Sequence, residues 1–155
     1  LTSTTTPDSP WGTFEFVCVS MGNPHAVCLV DDWAALPDEL FPAGVEKSLS
    51  TLRIDLPGPF FETHPVFPEK TNVEFASVTD EGIAMRVWER GCGETLACGT
   101  GACATNTAAC LTGRAGREND LLLSGGLLRI CWNEDGTISM TGPATESFSG
   151  TIVLP

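Results

Sequence analysis

From Trp11 to Ser20 the chain alternates, with Phe14, Phe16 and Cys18 set against Glu15, Val17 and Val19. A period of two puts successive side chains on opposite faces of an extended backbone, so the stretch predicts a strand buried on at least one face. The turn Gly22-Asn23-Pro24 ends it, and Val27 to Val30 repeats the pattern. Prolines 37, 42, 57, 59, 65 and 68 then interrupt the chain between Leu36 and Glu69. Proline lacks a backbone donor and breaks helix interiors, so this region is expected to be mostly loop, with short helices around Asp38 to Leu40 and Ala43 to Leu52.

Two runs rich in β-branched and aromatic residues, Asn72 to Val78 and Ile83 to Glu89, flank Asp80-Glu81-Gly82 and predict a hairpin. Beyond it the texture changes. Gly99 to Leu111 is rich in alanine, carries Cys103 and Cys110 seven apart, and stops at Gly113, which predicts a helix of small residues able to sit inside a wrap of sheet. Leu121 to Ser124, Leu127 to Trp132, Thr137 to Met140 and Thr151 to Leu154 read as further short strands between glycine-rich turns. The expected fold class is α+β, with antiparallel strands wrapped around one central helix.

With 155 residues and 42% hydrophobic positions, one domain with a sizeable core is expected over residues 11–155. Leu1 to Pro10 is polar and turn-forming, so residues 1–10 are expected to be a flexible segment. The chain begins at Leu1 rather than Met, which points to a piece of a longer protein. A formal charge of −12 repels nucleic acid and anionic membrane surfaces, so neither is an expected partner. No apolar run approaches the roughly 18 residues of a membrane span, and a soluble chain is expected. The seven cysteines form no Cys-x-x-Cys pair; free thiols in a reducing, cytoplasmic setting are expected, without a disulfide framework or a metal site.

Chemistry concentrates in Glu89-Arg90-Gly91-Cys92-Gly93-Glu94-Thr95-Leu96-Ala97-Cys98-Gly99-Thr100-Gly101, which joins a strand to the helix. The first N–H groups of a helix are unpaired and carry partial positive charge, so they hold anions such as a carboxylate. Gly99 and Gly101 let a ligand approach that backbone closely. Cys98 lies in the same field, which is expected to lower its thiol pKa and supply thiolate. A grip on a carboxylate with a thiol beside it suits proton transfer at the adjacent carbon.

Four blocks in order, Gly22-Asn23-Pro24-His25, His64-Pro65-Val66-Phe67-Pro68 leading into Thr71-Asn72-Val73-Glu74-Phe75, Glu89 through Gly101, and Thr141-Gly142-Pro143-Ala144, resemble the diaminopimelate epimerases over nearly the whole chain. The resemblance implies a two-lobed isomerase that interconverts LL- and meso-diaminopimelate without pyridoxal phosphate, metal or other cofactor, in lysine and peptidoglycan precursor biosynthesis. Each lobe wraps strands around a helix and supplies one catalytic cysteine. This chain then corresponds to the C-terminal lobe; its partners are diaminopimelate, the N-terminal lobe of the same enzyme and possible second copies in a homodimer, and alone it is expected to be nearly inactive. By position, Cys98 is the acid/base, with Glu89 and His25 completing the catalytic set. Asn23, Asn72, Glu89, Arg90, Gly99 and Thr100 bind substrate, the last two at its α-carboxylate.

Those residue types suit that ligand. Asn offers donors and an acceptor, Arg90 can grip a carboxylate with two parallel bonds, and Glu89 can hold an ammonium or tune a thiol. Cys18, Cys28, Cys103, Cys110 and Cys131 read as packing, Cys92 as structural, His64 as a loop residue or ligand, and Glu94 and Thr95 as loop bracing. Two other functions fit the same residues: a racemase of the same superfamily acting on another amino acid such as proline, and a non-catalytic lobe that only holds an anion.

Overall fold

Glycine, alanine, threonine and cysteine make up most of α2 (Gly99–Leu111), and these small side chains are buried nearly all round it, Ala102, Ala104, Ala108 and Ala109 completely. A helix without a polar face must be enclosed, and here one curled sheet encloses it. The computed structural model describes residues 2–154. Among them the sheet has nine strands: β1 (Thr2–Thr5), β2 (Phe16–Ser20), β3 (Pro24–Leu29), β4 (Asn72–Thr79), β5 (Gly82–Glu89), β6 (Gly93–Thr95), β7 (Glu118–Leu123), β8 (Gly126–Trp132) and β9 (Ile138–Thr141). They run in the spatial order 1-2-3-4-5-7-8-9, with β6 hanging on β5. The class is α+β, as expected. Six of the pairings are antiparallel; β3 with β4 and β5 with β7 are parallel, each joined by a crossover long enough to reverse the chain.

Both faces of the central strands are covered. Val17, Val19 and Val27 pack on Ala104 and Ala108 of α2. Phe16, Cys28, Val73 and Phe75 point the other way, into a cluster completed by Leu40, Phe41, Leu52, Ile54 and Phe61 from the crossover between β3 and β4. That explains why alternation along β2 is apolar on both sides. Cys28 is so enclosed that burial pushes its thiol up to about 12. The folded chain then keeps a proton that the unfolded chain releases near the ordinary thiol pKa, so the unfolded state binds fewer protons and stability falls as pH rises from about 9 toward 12. Urea midpoints measured across that range should decline, and a Cys28→Ala variant should decline less.

Several expected elements differ. Residues 11–15 are irregular, because Gly12 takes φ +89 and its carbonyl accepts from the Ser9 hydroxyl at 2.6 Å, so the strand starts at Phe16. Residues 43–52 form turns instead of a helix: Ser48 N–H donates to the Thr51 hydroxyl and that hydroxyl donates to the Glu46 carbonyl, giving the backbone a local alternative to helical bonds. A helix does form where prolines suggested loop. It is α1 (Pro57–Glu62), opened by Pro57, whose missing donor costs nothing in a first turn. Residues 1–10 are expected to be flexible, yet Thr2–Thr5 is a strand held by pairing along β2 from Thr2↔Val19 to Thr5↔Phe16. The last expected strand is absent: residues 142–154 have no regular structure, and Phe148, Ile152 and Val153 are 80% or more exposed.

The β4–β5 hairpin turns at Asp80-Glu81 and places Gly82 at φ +136, a region open essentially to glycine alone. A Cβ there would also run into the Asp120 carbonyl oxygen of β7. Gly82→Ala should therefore lower stability by roughly 1–3 kcal/mol, read as a reduced urea midpoint. A midpoint equal to the parent chain's would refute this account of the β5–β7 junction.

Candidate active site

The parallel β3–β4 register sets His25 beside Asn72, and one step beyond the Val73↔Trp88 pair Glu89 ends β5 next to Asn72. The N-terminus of α2 opens onto the same corner. Cys98 is its N-cap, with extended backbone at φ −136 and ψ 108, and Sγ accepts from the Gly101 N–H at 3.4 Å. A thiol thus stands where a serine or aspartate oxygen usually caps a helix.

From Cys98 a line of contacts runs inward. The Thr100 hydroxyl lies 3.5 Å from Cys98 Sγ, Asn23 Nδ2 donates to Thr100 Oγ1 at 3.3 Å, and Asn23 Oδ1 faces His25 Nε2 at 3.1 Å. His25 Nδ1 meets Glu74 Oε1 at 2.6 Å, with both side chains fully buried. Four of the expected residues, Asn23, His25, Cys98 and Thr100, are therefore joined directly. The fifth member, Glu74, is one that sequence reasoning passed over. Its signal is a lone carboxylate within the apolar strand Val73-Glu74-Phe75-Ala76, on a strand buried along both faces.

Glu89 reaches the site through Thr95, whose hydroxyl donates to Glu89 Oε1 at 2.5 Å, and its charge acts on Cys98. Asn72 is buried, though not completely, and spends most of its amide on the frame: Oδ1 accepts the Arg90 N–H and Nδ2 donates to the Pro24 carbonyl, both near 2.9 Å. One Asn72 N–H remains for a ligand. Arg90 is exposed and its guanidinium donates to the Glu69 carbonyl at 3.0 Å, so it stands at the rim rather than against Cys98. Glu62 of α1 fixes the turn that carries Arg90, accepting from the Trp88 indole and the Gly91 N–H at 2.9 Å each. His64 braces its own loop, accepting the Val66 N–H.

The expectation of a lowered thiol pKa at Cys98 is corrected. Burial pushes Cys98 above the ordinary thiol range; the Thr100 hydroxyl and Gly101 N–H pull it down, while the charge of Glu89 pushes it further up, as does Glu74 when ionised. Two donors at the cap do not offset desolvation. Cys98 therefore rests as a thiol at neutral pH. With iodoacetamide at neutral pH the exposed Cys92 should label first and Cys98, 8% exposed, much later, its rate climbing only at pH above that of an ordinary thiol. Peptide mapping by mass spectrometry checks this; rapid labelling of Cys98 at neutral pH would contradict it.

The corner can thus hold an anion at the α2 N-terminus against a protonated thiol, a frame for acid/base work beside a carboxylate. A family model described as diaminopimelate epimerase matches residues 17–146. The chain belongs to the diaminopimelate epimerase family. The diaminopimelate epimerase of Synechococcus elongatus is 50% identical over 148 residues, covering 95% of this chain and 46% of that protein. That of Methanococcus maripaludis (strain C5) is 50% identical over 141 residues, covering 90% and 45%. The chain thus spans about half the length of the curated relatives it matches. Among solved structures, a putative phenazine biosynthesis PhzC/PhzF protein from Clostridium difficile is similar at TM-score 0.49 and 16% identity, covering 72% of this chain and 35% of that one. A PhzF-family protein from Bacillus anthracis gives 0.47 and 20%, covering 82% and 38%.

Proposed function

We propose that this chain is the C-terminal lobe, residues 11–155 with β1 as its edge, of a two-lobed epimerase that interconverts LL- and meso-diaminopimelate. The reading is carried by one observation: a buried thiol caps an anion-holding helix N-terminus and is linked through Thr100 and Asn23 to His25. The family supplies the substrate. The α-carboxylate sits on the N–H groups of Gly99 and Thr100, where the partial positive charge of α2 also stabilises the negative charge that grows when Cα loses its proton. Cys98, resting as the thiol, gives its proton to one face of Cα; a thiolate from the other lobe takes the proton from the opposite face, and the stereocentre inverts. In the reverse direction Cys98 is the base. Asn23 and Asn72 hydrogen-bond the substrate, Arg90 takes a carboxylate at the rim, and Glu89 and His25 set the charge around the thiol.

Proton transfer between carbon and sulfur at a carboxylate needs no metal and no organic cofactor in this scheme. The protein works in the cytoplasm, where thiols stay reduced, and the lobe alone turns over little or nothing because one of the two proton carriers is missing. A homodimer of the whole enzyme is compatible with it. The test for substrate is exchange of the Cα hydrogen in deuterated water by the two lobes together, offered diaminopimelate or proline. Exchange confined to diaminopimelate supports the assignment. Exchange with proline alone moves it to a racemase of the same superfamily, and exchange with neither, despite lobe association, leaves an anion-holding lobe.

A further inference from the structure

Glu74 has no role in the scheme above, yet it lies at the root of the contacts that end on Cys98. Its side chain has no exposed surface, one oxygen lies 2.6 Å from His25 Nδ1, and the other, Oε2, is buried with no hydrogen-bond partner. A carboxylate with a bare oxygen in an apolar interior is costly, whereas a carboxylic acid leaves only a carbonyl oxygen unpaired. The titratable groups facing it are His25 from β3, Glu89 from β5 and Cys98 from α2. Burial pushes the carboxyl up, the His25 contact opposes this, and the charge of Glu89 adds to it. The far side of His25 agrees, because Asn23 presents its oxygen to Nε2 and its nitrogen to Thr100. Nε2 must then carry a proton, so Nδ1 is free to accept.

We propose that Glu74 is a positioning residue held as the carboxylic acid, which donates to His25 Nδ1 and so points every hydrogen bond of the line toward Cys98. The order is Glu74 O–H to His25 Nδ1, His25 Nε2–H to Asn23 Oδ1, Asn23 Nδ2–H to Thr100 Oγ1, and Thr100 O–H to Cys98 Sγ. Donors aligned head to tail reinforce one another, and the last one favours negative charge on sulfur. The proton on Glu74 also removes that carboxyl's opposition to the thiolate. The catalytic meaning rests on Cys98 being the acid/base proposed above; the protonation pattern does not.

Two readouts test it on this chain without turnover, so they fail or succeed apart from the exchange assay. The chain has two histidines, and nitrogen-15 NMR of the ring nitrogens, assigned with a His64→Gln variant, reports each ring's protons directly. At neutral pH His25 should carry one ring proton, on Nε2, with Nδ1 an acceptor. A proton on Nδ1, alone or together with Nε2, overturns the proposal. The second readout is the pH profile of Cys98 alkylation. Glu74→Gln retains an N–H donor toward Nδ1 and should leave the midpoint in place; a shift to lower pH would mean that a negative charge had been removed, and would overturn it. Glu74→Leu should shift the midpoint up and slow labelling at neutral pH by about tenfold, one unit of thiol pKa. An unchanged or lowered midpoint in a folded Glu74→Leu chain also overturns it.

Discussion

Cys98→Ala in the reassembled two-lobe protein should cut exchange of the diaminopimelate Cα hydrogen by about 10²–10⁴-fold, the usual contribution of a positioned acid or base. The change removes Sγ, the atom that Gly101 N–H and Thr100 both address, while the α2 N-terminus keeps its N–H groups and can still hold a carboxylate. Affinity for substrate should therefore fall far less than exchange. Cys110→Ala is the control: it lies half-buried near the far end of α2, away from the cap, and should exchange as the parent does. Cys98→Ser refines the result, since a hydroxyl caps the helix as well as a thiol but has too high a pKa to share the proton, and it should be nearly as impaired as alanine. Exchange within a few-fold of the parent in either Cys98 variant would remove the thiol from the mechanism.

Phe61→Ala should lose about 3–5 kcal/mol of stability, the range for deleting a buried aromatic ring. Phe61 has no exposed surface, and its ring lies 4.8 Å from that of Phe16, 5.1 Å from Phe60 and 5.3 Å from Phe14. It is the contribution of α1 to the cluster on the outer face of the sheet, and the same short helix carries Glu62, which fixes the turn bearing Arg90. A cavity there loosens the floor of the site as well as the fold. Urea unfolding followed by tryptophan fluorescence measures it, with Val45→Ala, nearly half exposed, expected to stay within about 0.5 kcal/mol of the parent. A cost below 1 kcal/mol for Phe61→Ala would mean that the crossover does not seal the outer face.

What was legible in the sequence were the elements whose own pattern decides them. Gly99–Leu111 is helical at the expected bounds because small residues followed by Gly113 leave little choice, and the β4–β5 hairpin follows from two β-rich runs around a short turn. Elements decided by distant partners were not. The strand Thr2–Thr5 has no apolar signal and is held by backbone pairing with β2, and α1 hides behind prolines that suit a first helical turn. The same division runs through the site. Motif order pointed to Asn23, His25, Asn72, Glu89, Arg90, Cys98, Gly99 and Thr100, which lie at one corner of the fold, with Arg90 at its rim. The resting state of Cys98 was not readable, because desolvation and the nearness of Glu89 are products of packing that outweigh the helix terminus. Nor was Glu74, whose partner His25 is 49 residues away in the chain.

Deuterium incorporation at Cα of diaminopimelate, with this chain alone and with a separately produced N-terminal lobe added, addresses the central claim most directly. Negligible exchange by the chain alone, strong exchange once the lobes combine, and its disappearance with Cys98→Ala are the predicted results. Exchange by this chain alone at the combined rate, or by the combined lobes carrying Cys98→Ala, would contradict a mechanism that divides its two proton carriers between two lobes.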